Sequence, residues 1–108
     1  MTPFEFGDVV LIPFPFTNQI QSKKRPAVII NSRAYNQSHS DVIAMALTSN
    51  LSGSAQMLQN WQAAGLPKTT AFKPAIFSLE VNLIVRKLGR LSVEDETALR
   101  TILQGMLG

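Results

Sequence analysis

The stretch Lys23–Ile30, KKRPAVII, puts three consecutive cations against a proline and then turns apolar. The proline ring clashes with the preceding backbone and pushes Arg25 into extended geometry. The residues after it include β-branched Val28, Ile29 and Ile30, which suit a pleated, half-buried surface. RPAVII (Arg25–Ile30) therefore reads as a buried strand with the chain's densest positive charge at its mouth. A surface loop does not need charge placed there; a site that handles an anion does.

Working outward, the same reading recurs. DVVLIPF (Asp8–Phe14) follows a glycine and reads as a buried strand. TNQIQSKK (Thr17–Lys24) is a polar connection, and NSRAYNQSHS (Asn31–Ser40) a loop. DVIAMALTS (Asp41–Ser49) is a third strand. AQMLQNW (Ala55–Trp61) alternates roughly and reads as a fourth, followed by a turn at AGLP. TTAFKPAIFSL (Thr69–Leu79) is a fifth, which Pro74 confines to an edge or a bulge. LIVRKLGRL (Leu83–Leu91) supplies a last short strand. One helix is expected, at the C-terminus. Ser92 is its N-cap and Asp95 has capping-box spacing. Glu94, Asp95 and Glu96 sit in the first turn, where the helix dipole favours anions. Leu99, Ile102, Leu103 and Met106 form one apolar stripe. These acids are explained by helix physics and carry no catalytic role. The expected architecture is mainly β with a C-terminal helix: a small, strongly bent antiparallel sheet or barrel with the helix packed on it.

The totals agree with one domain, residues 1–108. Hydrophobic residues make up 45% of the chain, enough for a core. Cysteine is absent, which removes disulfides, thiolate nucleophiles and cysteine-held metals and fits a reducing cytoplasm. The start, MTPFEFGD, does not read as a signal peptide, and the apolar runs are strand-sized, so no membrane span is expected. Net charge is +3. Residues 1–92 carry nine cations against four acids, a net of +5, and residues 93–108 one cation against three acids, a net of −2. A basic body favours a polyanionic partner, nucleic acid first, although an ordinary solvated surface looks the same by charge alone.

Chemistry-bearing residues are few. His39, the one histidine, lies in a polar loop and reads as solvent-exposed. No His/Asp/Glu cluster has metal-ligand spacing, and no phosphate-binding glycine motif occurs. An enzyme built from this chain works mainly with Arg, Lys and hydroxyl groups, without metal or other cofactor. Lys23 and Lys24, delivered by a loop, suit a phosphate backbone; Arg25, at a stiff strand end, suits a bidentate phosphate contact. The structural alternative is that Arg25 caps a carboxylate such as Asp8 or Glu5. Thr48 and Ser49, at the end of the third strand, hydrogen-bond a phosphate or satisfy a turn. Trp61 and Phe72 stack on unpaired bases or, the favoured reading, belong to the core or a dimer contact.

These segments carry a resemblance. GDVVLIPFPF, KKRPAVII, YNQ, DVIAMALTS, GLPKTTAFKPAIFSLE and RKLGRLS before a final helix run in the same order as in the MazF/PemK family, over about residues 4–108. The resemblance implies an SH3-like barrel with a C-terminal helix, usually a homodimer. It also implies a cytoplasmic toxin of a type II toxin–antitoxin module. Its activity would be that of a metal-independent, sequence-specific endoribonuclease acting on single-stranded RNA and blocked by a cognate antitoxin protein. It places the catalytic roles on Arg25 and Thr48, and RNA binding on Lys23, Lys24, Ser49 and Lys73. One departure stands out: where some members carry an acid after the fifth-strand cation, this chain has Ala75, and the next acid is Glu80. Two alternatives share the fold, a non-nuclease toxin that binds DNA gyrase and a catalytically weak RNA- or protein-binding module.

Overall fold

The structure, a computed structural model, describes residues 4–14, 23–32, 40–51 and 56–107. Among the described residues, five strands run β1 (Asp8–Phe14), β2 (Lys23–Ile29), β3 (Asp41–Thr48), β4 (Ala71–Glu80) and β5 (Arg86–Arg90). A 3₁₀ turn, Val81–Leu83, links β4 to β5, and a helix, α1 (Val93–Leu107), follows. The strands form one sheet in the order β4-β3-β2-β1-β5. Every neighbouring pair is antiparallel. The mainly β fold with a C-terminal helix is as the sequence reads. The barrel is not closed: β4 and β5 are the two edges of an open sheet.

The central strands read as continuous apolar runs because both faces of the sheet are buried. On one face Val9, Val28, Met45, Leu47 and Phe72 pack against Leu99, with Ala98, Ile102 and Leu103 of α1 beside them. On the other face Val10, Ile12, Ala27, Ile29, Val42 and Ala44 pack with Phe4, Phe77 and Leu83. Phe72 is thus a core residue, and Trp61 packs half-buried against the helix-side core. The apolar stripe of α1 fades toward its end: Leu99 is buried, Ile102 and Leu103 are half-buried, and Met106 is exposed.

The strand expected over Ala55–Trp61 does not form among the described residues. Met57 makes only an isolated bridge to Ala71. The backbone N–H groups of Gln59 and Asn60 instead donate to the Asp95 carboxylate, each at 2.8 Å. Two consecutive N–H groups aimed at one side chain cannot also serve a strand ladder. The chain then makes one turn at Trp61–Gly65. Leu66 N–H bonds the Trp61 carbonyl and Gly65 N–H the Gln62 carbonyl, the paired bonds of a Schellman motif.

Pro74 behaves as its position requires. β4 is an edge strand, and its register against β3 jumps from Met45–Ile76 to Leu47–Phe72. Three residues, Lys73 to Ala75, therefore stand against the single residue Ala46, which is a bulge.

Ser92 caps α1 as expected, accepting the Asp95 N–H at 3.2 Å and also the Asn60 side-chain amide at 2.8 Å. Asp95 itself is fully buried and is held for the two loop amides. Its replacement leaves two backbone donors without an acceptor. Asp95→Ala is expected to lower unfolding stability by about 3 kcal/mol, measured by urea denaturation. A change within about 0.5 kcal/mol, the range of ordinary surface substitutions, would show that the loop finds other acceptors.

Candidate functional site

The β2–β3 register builds the site. Ala27 stands opposite Ala46, Val28 opposite Met45 and Ile29 opposite Ala44. Two residues beyond Ala27 the same register brings Arg25 level with Thr48, on the same face of the sheet. The paired ladder ends at Ala27, next to Pro26, whose nitrogen carries no donor. The strands part there, and two cavities open around the Arg25–Thr48 pair.

The larger cavity, about 400 Å³, is lined by Lys24, Arg25, Thr48, Ser49, Lys68 and Arg86, with Leu11, Pro26, Leu47, Leu66 and Leu88 as its apolar wall. The smaller, about 240 Å³, is lined by Arg25, Thr48, Asn50, Lys73 and Phe77 with Ile12 and Ala46. Arg25 and Thr48 border both. The β4 bulge explains Lys73: three residues against Ala46 give it room beside that side of the site. Ala75 stands in the same bulge. Glu80 does not substitute for an acid there. It pairs with Asp41 at the opposite end of β3, seven residues from Thr48 and so ~24 Å away.

Electrostatically the site is one-signed. No Asp or Glu among the described residues lines either cavity. The idea that Arg25 caps Asp8 or Glu5 is overturned. Arg25 lies opposite Ile12, four residues along β1 from Asp8. The Asp8 carboxylate is fully buried and is met by Arg90 at 2.8 Å, Lys87 at 3.2 Å and the Glu5 N–H at 3.0 Å. Arg90 also reaches Glu5 at 3.4 Å. The cations of β5 next to Asp8 thus hold it, leaving Arg25 at the cavity.

Of its two sequence readings, Thr48 shows the turn. Its Oγ1 accepts the Asn50 N–H at 3.0 Å, closing a turn. That bond uses a lone pair and leaves the hydroxyl hydrogen to donate. Ser49 lines the larger cavity only. Lys23 is exposed, stands opposite Phe14 and lines neither cavity. His39 falls outside the described residues. Sequence reading missed Lys68 and Arg86, because one follows a turn and the other is one of three cations in a five-residue strand, with nothing local to mark them.

The cavity wall depends on Gly65. Its φ is +81°, in the left-handed region, and a Cβ there would collide with the Leu88 carbonyl of β5. Gly89 is approached as closely by the Ala64 carbonyl, so turn and strand meet backbone to backbone.

The profile of the family described as PemK-like, MazF-like toxin of type II toxin-antitoxin system matches residues 5–107. The chain belongs to that family. No curated protein matches closely enough to count as a relative. Among solved structures 35 chains match. One of them, an endoribonuclease in complex with its cognate antitoxin from Mycobacterial species, superposes with a TM-score of 0.78 at 20% identity, covering 100% of this chain and 96% of that one. At that identity the likeness bears on the fold. No helix among the described residues is long and apolar enough to cross a membrane.

Gly65→Ala is expected to cost about 1–3 kcal/mol in unfolding free energy, read from thermal or urea melts. A wild-type melt would mean that turn and strand separate without penalty.

Proposed function

We propose that the protein is an endoribonuclease that cleaves single-stranded RNA without a metal ion, as the toxin of its module. The observation that carries this is the convergence of Arg25 and Thr48 between two cavities that also collect Lys24, Lys73 and Ser49 and, among the described residues, are lined by no acid. Such a site suits a phosphodiester.

The chemistry follows from those groups. The 2′-hydroxyl of one nucleotide attacks the adjacent phosphorus. A P–O2′ bond forms, the P–O5′ bond breaks, and the proton lost from O2′ ends on O5′. The products are a 2′,3′-cyclic phosphate and a 5′-hydroxyl. Negative charge builds on the phosphorane-like transition state, and the Arg25 guanidinium stabilises it as it develops. The Thr48 hydroxyl donates to the same phosphate. Arginine holds its proton too firmly to serve as a good general acid. Proton transfer therefore runs through solvent or the substrate itself. That makes a slow enzyme, which suffices for growth arrest. Lys24, Ser49 and Lys73 hold flanking phosphates, and Lys23, outside both cavities, contributes only at longer range.

The working form is a homodimer in the cytoplasm, and the partner that silences it is a cognate antitoxin protein. The superposed mycobacterial endoribonuclease, bound to its own antitoxin, supports this reading. A second reading, a gyrase-binding toxin, has one observation in its favour: Met106 and Leu107 are 42% and 84% exposed at the end of α1. It leaves the two cation-lined cavities without a purpose.

The deciding experiment is digestion of a long single-stranded RNA in EDTA. Wild type is expected to cut at a few repeated short sites, and Arg25→Ala, folded by circular dichroism, to cut about 10²–10³-fold more slowly. Equal rates would remove Arg25 from the mechanism. Absence of cleavage by wild type, together with trapped gyrase–DNA complexes, would select the second reading.

A further inference from the structure

The larger cavity contains more than the Arg25–Thr48 chemistry needs. Lys68 and Arg86 face it from the far side, brought there by different elements. Leu11 is opposite both Pro26 on β2 and Arg86 on β5. Arg86 is therefore two strand spacings from the β2 end of the site, roughly 10 Å between backbones. Lys68 follows the Trp61–Gly65 turn, and its carbonyl accepts the hydroxyl of buried Thr70 at 2.9 Å, which fixes its backbone at the cavity rim. Neither cation has a carboxylate partner among the described residues, whereas Lys87 and Arg90 on the same strand are held by Asp8. Between the two groups of cations lie Leu11, Pro26, Leu66 and Leu88. The result is an apolar floor with positive charge at both ends, in a volume suited to a small ligand fragment.

We propose that this cavity is a nucleotide subsite. One unpaired nucleotide next to the scissile bond rests its base and sugar on the apolar floor, while Lys68 and Arg86 bind the next phosphate along the strand. The assignment deepens the ribonuclease reading and rests on it for the identity of the scissile bond. Recognition is then of a single strand, because a paired base cannot turn its face to the floor. The subsite also gives the protein a way to choose its cleavage position: a nucleotide whose base fits the cavity places its neighbouring phosphate against Arg25. Gly65 and Gly89 keep the turn and β5 close enough for both cations to reach one phosphate.

The test uses binding rather than cleavage. The probe is the all-deoxy version of a short unstructured RNA, which lacks the attacking hydroxyl. Lys68→Ala and Arg86→Ala, both exposed positions, are each expected to weaken binding about tenfold and to lower the slope of log affinity against log salt by ~0.7. Arg100→Ala, the same charge change on α1, is expected to leave both unchanged. A single abasic site moved along the probe is expected to weaken wild-type binding at one position. Slopes equal to wild type for the two variants, or an equal loss in Arg100→Ala, would overturn the subsite even if wild type cuts RNA. Binding that depends on Lys68 and Arg86 in a protein that cuts nothing would sustain the subsite and remove the nuclease reading. Failure of wild type to bind the probe at any salt concentration would overturn the subsite, while the nuclease reading stands or falls on the digestion.

Discussion

The pairing of Ala27 with Ala46 is the constraint on which the rest of the molecule turns. Side chains alternate along a strand, so a slip of one residue between β2 and β3 would turn β2 over relative to its neighbour. Val28 would leave the helix-side core while Met45 stayed in it, and Arg25 and Thr48 would no longer share a face. Two small residues at the centre of the sheet therefore set the packing and the site at once. The register is pinned from both sides, because each face of the sheet is buried and no shifted pairing keeps both sets of apolar residues covered. Pro26 then decides where the pairing stops. It ends the ladder at Ala27, still within the core, and leaves Arg25 and Thr48, two positions on, at an opening rather than in a continuous sheet.

Much of this was legible in the sequence, for reasons that differ by element. β1, β2 and β3 show as runs of β-branched and other apolar residues bounded by polar segments. β4 shows through Pro74, whose missing donor allows only an edge or a bulge, and it has both. α1 shows through Ser92 and the Leu99 stripe. Arg25 and Thr48 each show singly, as polar residues at the edge of an apolar run, and only the family resemblance joins them as a pair. The segment up to Trp61 alternates roughly like a strand, but that pattern does not set its conformation. What decides its conformation is a carboxylate 35 residues later in the chain. Lys68 and Arg86 were missed for the same reason. Their meeting depends on a turn and a strand whose contact is backbone against backbone at Gly65 and Gly89, and no side-chain pattern records such a contact. Local periodicity reads elements; it does not read which elements share a hydrogen bond.

The absence of an acid at Ala75 also gains a physical meaning from the bulge. A carboxylate there would stand in the same bulge as Lys73, which lines the smaller cavity, and would lower the positive potential on that side. With alanine the site keeps its full charge and gives up a candidate proton acceptor. The balance shifts from proton transfer toward charge stabilisation, in line with the mechanism proposed from Arg25 and Thr48.

The two amides that end on Asp95 have one more consequence. Gln59 and Asn60 lie at the start of the turn that walls the larger cavity, yet their hydrogen bonds terminate in the first turn of α1. Neither amide can exchange with solvent unless the helix end lifts or the loop lets go of it. Loop and helix therefore open as one cooperative unit, and the protection of these two loop amides should follow that of the helix rather than that of a surface loop. A wall that looks like an irregular connection is, in its local stability, part of the C-terminal helix.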